Sequence, residues 1–385
     1  MKIAIVQVAL SHGGAEHVGA MLANGFAQRG HDTIIITDLN QPVVYDIDSQ
    51  VNICDMVGKV SNKHIKWFKS IRTIRKTIKQ NKPDVIIGIM GICTLVTYIA
   101  CLGLHIPIVM TEHNSFERPK SAPLTLKKKF FKFWINKLYN NITVLTEADK
   151  QCIGSRLKNV TVLPNPLLLK PVNVIPQKER IVLAAGRVDS WHYKGFDVLI
   201  KSWKKNQDLN DNVNDDDNLR EWWLKIAGAG KKESFEYLMD LLPDGNWIHN
   251  ENDNENENWF WRSEKYHIEF LGFQKDMESL YKKSEIFVLS SRYEGFGLVL
   301  IEAMSQGCAC IACDYKDRQR EIIQNDNQGL CCKPDNVEML ANAIQQMIID
   351  DDYRKNVQQN AIERSKFYNL DNIIKMWEDY LVNVR

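Results

Sequence analysis

Three clusters of residues have types and spacings suited to holding and polarising an anionic, hydroxyl-rich ligand. The first is Ser11-His12-Gly13-Gly14-Ala15-Glu16, where an apolar run gives way to helical spacing. Glycines let backbone N–H groups approach a ligand, and a helix N-terminus favours an anion. A tight strand-to-helix turn accounts for the same residues equally well. The run is not Gly-x-Gly-x-x-Gly, so the nicotinamide dinucleotide fingerprint is absent. The second cluster places Arg187 and Lys194 in a polar loop directly after a strand-like run. Two cations of different geometry there can neutralise a diphosphate without a metal; solvated surface is the alternative. The third is Ser290-Ser-Arg-Tyr-Glu294-Gly-Phe-Gly297-Leu-Val-Leu-Ile-Glu302. Glu294 falls at the carboxyl end of a predicted strand, and Glu302 lies about two helical turns beyond it. Gly295 and Gly297 expose N–H groups at the helix start, a second anion site. One carboxylate there can orient sugar hydroxyls and the other can grip a ribose diol. The alternative for Glu302, an exposed helix position, sits badly with the apolar residues on both sides of it.

The elements that must position these residues alternate between strand and helix. Lys2–Leu10, Thr33–Thr37, Val85–Ile89, Pro107–Thr111, Asn141–Leu145 and Val160–Leu163 read as strands, with helices over Glu16–Arg29, Asn62–Gln80 and Cys93–Leu102. A second series begins with strand Arg180–Ala185 and helix Phe196–Lys204. Its further strands are Leu224–Ala227, Ile268–Leu271, Ile286–Leu289 and Ala309–Ala312, with Leu298–Met304 helical. Alternating β and α at this spacing makes parallel sheets covered on both faces. The expected fold is α/β, with two facing, Rossmann-like, doubly wound domains over residues 1–170 and 171–385 and ligands in the cleft between them. A last helix at about 371–385 is expected to pack back on the first domain. Residues 206–218 and 250–258 are rich in Asn, Asp and Glu and read as mobile surface insertions.

Composition narrows the functional class. The 385 residues include 49 basic and 48 acidic side chains, but residues 1–170 hold 22 Lys/Arg against 11 Asp/Glu, and residues 171–385 hold 27 against 37. A basic half joined to an acidic half suggests that the first half faces an anionic partner, and argues against a nucleic-acid protein, which would be basic throughout. No apolar stretch reaches the roughly 18 residues of a membrane span; Val85–Val109 is broken by Gly88, Gly91, Gly103, His105 and Pro107. Nine cysteines make no disulfide scaffold. Cys308, Cys310 and Cys313 fit a buried strand better than a metal site, and no metal is expected.

Taken together, the motifs resemble the retaining, nucleotide-sugar-dependent glycosyltransferases of the two-domain GT-B fold, family 4. Gly13-Gly14-Ala-Glu16, Thr111-Glu-His113-Asn, Pro164-Asn165-Pro166, Gly186-Arg187 with Lys194-Gly195, Gly228-Ala-Gly230 and the Glu294-x7-Glu302 pair follow the family's order across essentially the whole chain. The resemblance implies that Arg187 and Lys194 hold the donor diphosphate, with no metal or other cofactor. It places Gly13 and Gly14 near the donor, Glu294 on the sugar hydroxyls, the backbone of Phe296, Gly297 and Leu298 on sugar and phosphate, and Glu302 on the ribose. Gly230 and Asn165 join the substrate-binding set, and His113 touches the transferred sugar or assists at the reacting centre. The implied reaction moves a hexose or N-acetylhexosamine from a nucleotide sugar, with UDP the expected nucleotide, to a glycan or lipid-linked glycan with retained configuration. One departure stands out. After Cys313-Asp314 many relatives have a glycine-rich turn, where this chain has Tyr315-Lys-Asp-Arg-Gln-Arg-Glu321. Donor or acceptor preference could differ accordingly.

The basic half then has a candidate role. Lys127–Tyr139 interleaves lysines with large apolar residues, the pattern of an interfacial helix on an anionic membrane. Lys59–Lys82 carries nine basic and no acidic residues, and its stripe of Trp67, Phe68, Ile71, Ile74 and Ile78 reads rather as ordinary inward packing. A cytoplasmic protein peripheral to the inner face of the membrane follows. The rival readings are a nucleotide-sugar 2-epimerase of the same architecture and a non-catalytic, membrane-associated glycan-binding protein.

Overall fold

In the computed structural model of the chain, which describes residues 1–11, 13–58, 63–120, 122–211, 222–249 and 259–384, the β-branched runs become parallel strands buried on both faces, as crossover helices require. The chain divides into two compact units, one of Met1–Leu168 with Tyr368–Arg385 and one of Leu169–Phe367.

The first unit runs β1 (Lys2–Val6), α1 (Gly14–Gln28), β2 (Asp32–Thr37), β3 (Asn52–Asp55), α2 (Lys63–Asn81), β4 (Val85–Ile89), α3 (Gly91–Ala100), β5 (Ile108–Thr111), α4 (Leu126–Phe133), β6 (Asn141–Val144), α5 (Glu147–Ile153) and β7 (Val160–Val162). Its strands form one seven-stranded parallel sheet in the order β3-β2-β1-β4-β5-β6-β7. Ala4, Val6, Ile34, Ile36 and Ile86 of the sheet meet Ile74 and Ile78 of α2 in one core.

The second unit runs β8 (Glu179–Ala185), α6 (Trp191–Lys194), α7 (Phe196–Asp211), β9 (Trp223–Ala227), α8 (Lys232–Met239), β10 (Ile248–His249), β11 (Trp261–Ser263), β12 (Ile268–Gly272), α9 (Met277–Lys283), β13 (Ser284–Leu289), α10 (Leu298–Ser305), β14 (Ala309–Cys313), β15 (Leu330–Cys332), α11 (Val337–Ile349) and α12 (Asp351–Ser365). The sheet order is β10-β11-β12-β9-β8-β13-β14-β15, parallel except for β10 and β11 at one edge. Trp203, Phe235, Phe270 and Ile226 anchor its core. The last helix, α13 (Leu370–Val382), belongs to the first unit. It lies so close to α1 that a Cβ on Gly25 would sit 2.5 Å from Ile374. Arg29 and His31 both reach Glu378 of α13, at 2.8 Å each.

Each unit is therefore a Rossmann-like sheet, and each has a switch point where the strand order reverses, β1/β4 in the first and β8/β13 in the second. Ligands of such sheets bind outside the carboxyl ends of the strands at that point.

Three sequence expectations need correction. Residues 206–211 are not part of a mobile insertion: α7 continues to Asp211, and the buried Asn206 amide donates to the Ala341 carbonyl at 3.1 Å. The remaining positions of that stretch, 212–218, and the stretch 250–258 lie outside the described residues. The stripe on α2 is only half inward, since Ile74 and Ile78 are buried while Trp67 and Phe68 are exposed. Finally, Lys127–Tyr139 is not one helix, because α4 ends at Phe133 and a 3-10 turn covers Ile135–Leu138. Nor are all its lysines at the surface. Lys132 is buried.

Cys308, Cys310 and Cys313 sit on or beside β14, all buried. The Cys308 thiol donates to the Tyr281 and Ser284 carbonyls, and burial pushes its pKa up to about 11. A thiol held protonated in this way is a packing element.

Candidate active site

The loops that follow β8 and β13 are neighbours because their strands are, and the sequence makes their approach unusually close. Gly195 caps α6 with a left-handed φ of +68°, and a Cβ there would lie 1.9 Å from the Ser290 carbonyl oxygen. Only glycine permits that contact. Around it the loops are laced together. Ser290 Oγ donates to the Lys194 carbonyl at 2.8 Å, and the Arg292 N–H donates to the Tyr193 carbonyl at 2.9 Å. The buried Arg292 guanidinium forks onto Asp197 at 2.8 and 2.9 Å and pairs with Asp335 at 2.6 Å. A bidentate pair fixes direction as well as distance, so the start of α7 and the segment leading into Glu294 are held in one register.

The result is a direct pair between two of the residues singled out from the sequence. Lys194 Nζ donates to Glu294 Oε1 at 2.7 Å, and Ser291 Oγ donates to the same oxygen at 2.7 Å. Both charged side chains are largely withdrawn from solvent, at 16% and 12% exposure. Burial alone would lower the Lys194 pKa. The Glu294 carboxylate, with Tyr193 and Tyr293 nearby, more than offsets it and leaves the ammonium above its ordinary value.

Arg187 is not brought to this pair. Its side chain is 77% exposed, with Asp189 Oδ2 at 3.6 Å. Gly230 has a packing reason to be glycine, since a Cβ there would lie 2.8 Å from Val188 Cβ. Gly228 has a stronger one: its Cβ would fall 1.8 Å from the Gly186 carbonyl oxygen. Phe296 is buried, Gly297 caps α10 at φ +105°, and Leu298 is the helix's first residue. Gln319, from the loop that departs from the family pattern, donates to the Phe296 carbonyl at 3.3 Å, and its own N–H is held by Asp314 at 2.8 Å. Glu302 lies one turn further along α10, buried, and accepts from the Tyr281 hydroxyl at 3.1 Å. Desolvation raises its pKa to about 7 against the restraining effect of that hydrogen bond.

In the first unit, His113 follows β5, beside the β1/β4 switch point. Its Nε2 lies 3.2 Å from Thr111 Oγ1, which itself donates to the Gly88 carbonyl at 3.1 Å. With the hydroxyl proton so committed, the network assigns the proton of the ring to Nε2 and leaves Nδ1 as an acceptor. Nδ1 makes no hydrogen bond of ordinary geometry among the described residues. Burial lowers the His113 pKa to about 4, against the opposing pull of Glu112 and then Asn165. The imidazole is thus neutral at physiological pH. Asn165, buried in the segment after β7, is a neighbour of His113. At the end of β1, Gly14 begins α1, while the N–H and carbonyl of Gly13 are both engaged by the Tyr45 hydroxyl at 2.8 and 2.9 Å.

The profile described as glycosyl transferases group 1 matches residues 168–364, and that described as glycosyltransferase family 4 matches residues 12–167. The chain is a family 4 glycosyltransferase of GT-B fold. It is 25% identical to an α-1,4-N-acetyl-D-galactosaminyltransferase of Campylobacter jejuni, named for its acceptor GalNAc-α-(1→4)-GalNAc-α-(1→3)-diNAcBac-PP-undecaprenol, over 100% of this chain and 99% of the relative. It is 27% identical to the amylovoran biosynthesis glycosyltransferase AmsD of Erwinia amylovora, over 96% of each. Among solved structures, Anabaena HepE in complex with UDP superposes with a TM-score of 0.73, covering 100% of both chains at 15% identity.

Several residues at this glycosyltransferase's candidate sites escaped the sequence reading. Tyr45 and Tyr281 each touch a predicted site residue from outside every motif, while Ser291 and Gln319 stand in quoted stretches without having been singled out there. Arg292 stands inside the Ser290–Glu302 motif, but its partners Asp197 and Asp335 do not. At the carboxyl ends of β1, β2 and β3 the first unit also has a cavity of about 170 Å³, lined by Val8, Asp38, Met56, Trp67, Ile92 and Val96 among others.

Glu302 yields a pH prediction. A ribose diol bound to its carboxylate favours the charged form, so the pKa falls on binding and affinity must rise with pH up to the free value of about 7, then level off. Donor affinity measured by calorimetry from pH 5.5 to 8.5 should follow that curve, losing up to about tenfold per unit below the inflection. Replacing Tyr281 by Phe removes the one group that lowers the pKa, so the inflection should move to higher pH. A pH-independent affinity would separate Glu302 from the ribose.

Proposed function

We propose that this protein transfers a hexose or N-acetylhexosamine from a UDP-sugar to a lipid-linked glycan, with the anomeric configuration retained and without a metal. The observation that carries the donor side is the Lys194–Glu294 pair at the β8/β13 switch point: a cation and a carboxylate, 2.7 Å apart, where a doubly wound sheet binds nucleotides. The UDP of the HepE complex supports the choice of nucleotide, and the undecaprenol-linked acceptor named for the Campylobacter relative supports the choice of acceptor.

In this reading the sugar hydroxyls replace Lys194 as partners of Glu294, and the freed ammonium turns to the diphosphate, with Arg187 folding in from solvent. The acceptor hydroxyl attacks the anomeric carbon from the side on which the nucleotide leaves. The bond from that carbon to the phosphate oxygen breaks, its electron pair goes to the diphosphate, and the departing phosphate takes the acceptor's proton. Charge develops on the leaving group, so cations already aimed at it stabilise the transition state more than the ground state. His113, neutral and with Nδ1 as its acceptor, takes a hydrogen bond from a hydroxyl of the transferred sugar, while Asn165 steadies the ring. Gly14, Phe296, Gly297 and Leu298 supply backbone, and Glu302 holds the ribose.

The acceptor side rests on α4. Leu126, Phe130, Trp134 and Leu138, four residues apart, are all exposed, Leu126 by 85%. Lys127, Lys128, Lys129 and Lys137 stand exposed beside them. No helix among the described residues is long and apolar enough to cross a membrane. An apolar ridge edged with cations is instead the pattern of peripheral attachment to anionic lipid, with each lysine contributing about 1 kcal/mol. Replacing Lys127, Lys128 and Lys129 by Ser should cut sedimentation with phosphatidylglycerol vesicles at least tenfold while leaving the melting temperature in place; unchanged binding would return α4 to an ordinary surface.

The deciding experiment for the donor is a thermal-shift screen against UDP, GDP, ADP and their sugar conjugates, with and without chelator. Ligand at 100 times its Kd should stabilise the protein by about 2.7 kcal/mol. A shift selective for uridine diphosphates and insensitive to chelator is expected; none with any nucleotide would overturn the reading.

A further inference from the structure

The buried lysine of α4 is the one its surface role does not use. Lys132 Nζ lies 2.8 Å from Glu112 Oε2 and donates to the Asn114 carbonyl, also at 2.8 Å, with the Phe116 ring 4.2 Å beneath it. Glu112 Oε1 in turn accepts from the Asn114 N–H at 3.0 Å. The ion pair is nearly sealed from water, at 7% and 8% exposure. Glu112 and Asn114 are the residues on either side of His113. One ammonium from α4 therefore clamps both flanks of the histidine turn, while the other face of the same short helix presents Leu126, Phe130 and Trp134 to solvent.

We propose that Lys132 is a positioning residue that makes α4 and the His113 turn move as one body, so that seating the exposed face of α4 on an anionic lipid surface sets the position of His113. The proposal rests on the reading of α4 as a surface-binding helix. A buried, hydrogen-bonded pair in a poorly polarisable site has one good geometry, and a shift of the helix must either carry the turn with it or break the pair, which is costly. The rest of the turn is held independently: the Phe116 N–H is bonded to Asp149 at 2.7 Å and the Ser115 hydroxyl lies 3.2 Å from it. Between that anchor and the Glu112 N–H, which donates to the Thr143 carbonyl at 3.0 Å, the backbone of His113, Asn114 and Ser115 is the part that follows α4.

Hydrogen exchange reads this without any substrate. Vesicles of phosphatidylglycerol in phosphatidylcholine, added to the full chain, should slow amide exchange at least about threefold in α4 and also change it in residues 112–115, whereas phosphatidylcholine alone should do neither. In Lys132→Met the α4 effect should persist and the effect on 112–115 should vanish; Lys132→Arg, which keeps a cation in place, should restore it. Protection of α4 with no response at 112–115 in the native protein would overturn the coupling while leaving the surface reading intact. No protection of α4 would overturn the surface reading and the effector with it. Should Lys132→Met fail to fold, Glu112→Gln removes the other end of the pair and must give the same loss of response.

Discussion

Replacing Glu294 by Ala should reduce glycosyl transfer by at least about 100-fold, the scale of removing one preorganised electrostatic contact from a transition state, while leaving UDP binding intact or tighter. The opposite directions follow from the pair. In the free protein the Glu294 carboxylate holds the Lys194 ammonium at 2.7 Å and competes with any diphosphate for it. Without the carboxylate, Lys194 is free for the nucleotide, but the sugar has lost its acceptor. UDP-sugar should then bind no better than UDP. The variant also leaves a largely buried ammonium without its partner, a cost of about 3 kcal/mol at these exposures, so melting temperatures belong beside the rates, and UDP should recover part of the loss. Glu294→Gln, which keeps an acceptor for Ser291, should be the more stable of the two and still transfer poorly. Turnover within tenfold of the native protein in a folded Glu294→Ala would remove Glu294 from the donor site.

Replacing Lys194 by Ala should weaken UDP about 10- to 150-fold, the span of one hydrogen bond to a charged group, and leave uridine almost untouched. The rate should fall further than ground-state binding does, because charge on the leaving diphosphate is greatest in the transition state. Titrating UDP, UMP and uridine against native and variant protein separates these contributions. An equal loss for all three would mean that Lys194 supports the loop rather than the phosphate. A loop role is a real competitor, since the Lys194 carbonyl and its neighbour Gly195 tie the α6 turn to Ser290.

Much of the architecture was legible because parallel sheets write their strands as uninterrupted β-branched runs. Ile34–Ile36 and Val85–Ile87 could hardly be anything else. β3 and β15 escaped: runs of four and three residues that include Asn52, Asp55 and three cysteines are strands only because a neighbouring strand supplies the ladder. The C-terminal turns of α7 were misread for a related reason, as Asn206 looks like a loop residue until Ala341 offers its carbonyl. At the candidate site, residue types and chain order pointed to Lys194 and Glu294 singly. Their pairing, across 100 positions, depends on Gly195 letting two loops touch, which no local pattern reports. Helical spacing likewise divides Lys127–Tyr139 into faces but does not say which face docks; Lys132 was counted with the surface cations for want of Glu112.

The assignment of α13 to the first unit has a consequence for synthesis. Residues 369–384 complete a surface that α1, Arg29 and His31 have been waiting for since the first tenth of the chain was made. The second unit, Leu169–Phe367, has all its parts as soon as Phe367 has cleared the ribosome. Emergence order and completion order are therefore reversed between the two units: the one begun first is completed after the other, and until α13 emerges its α1 shows Gly25 and Phe26 to whatever holds nascent apolar surfaces.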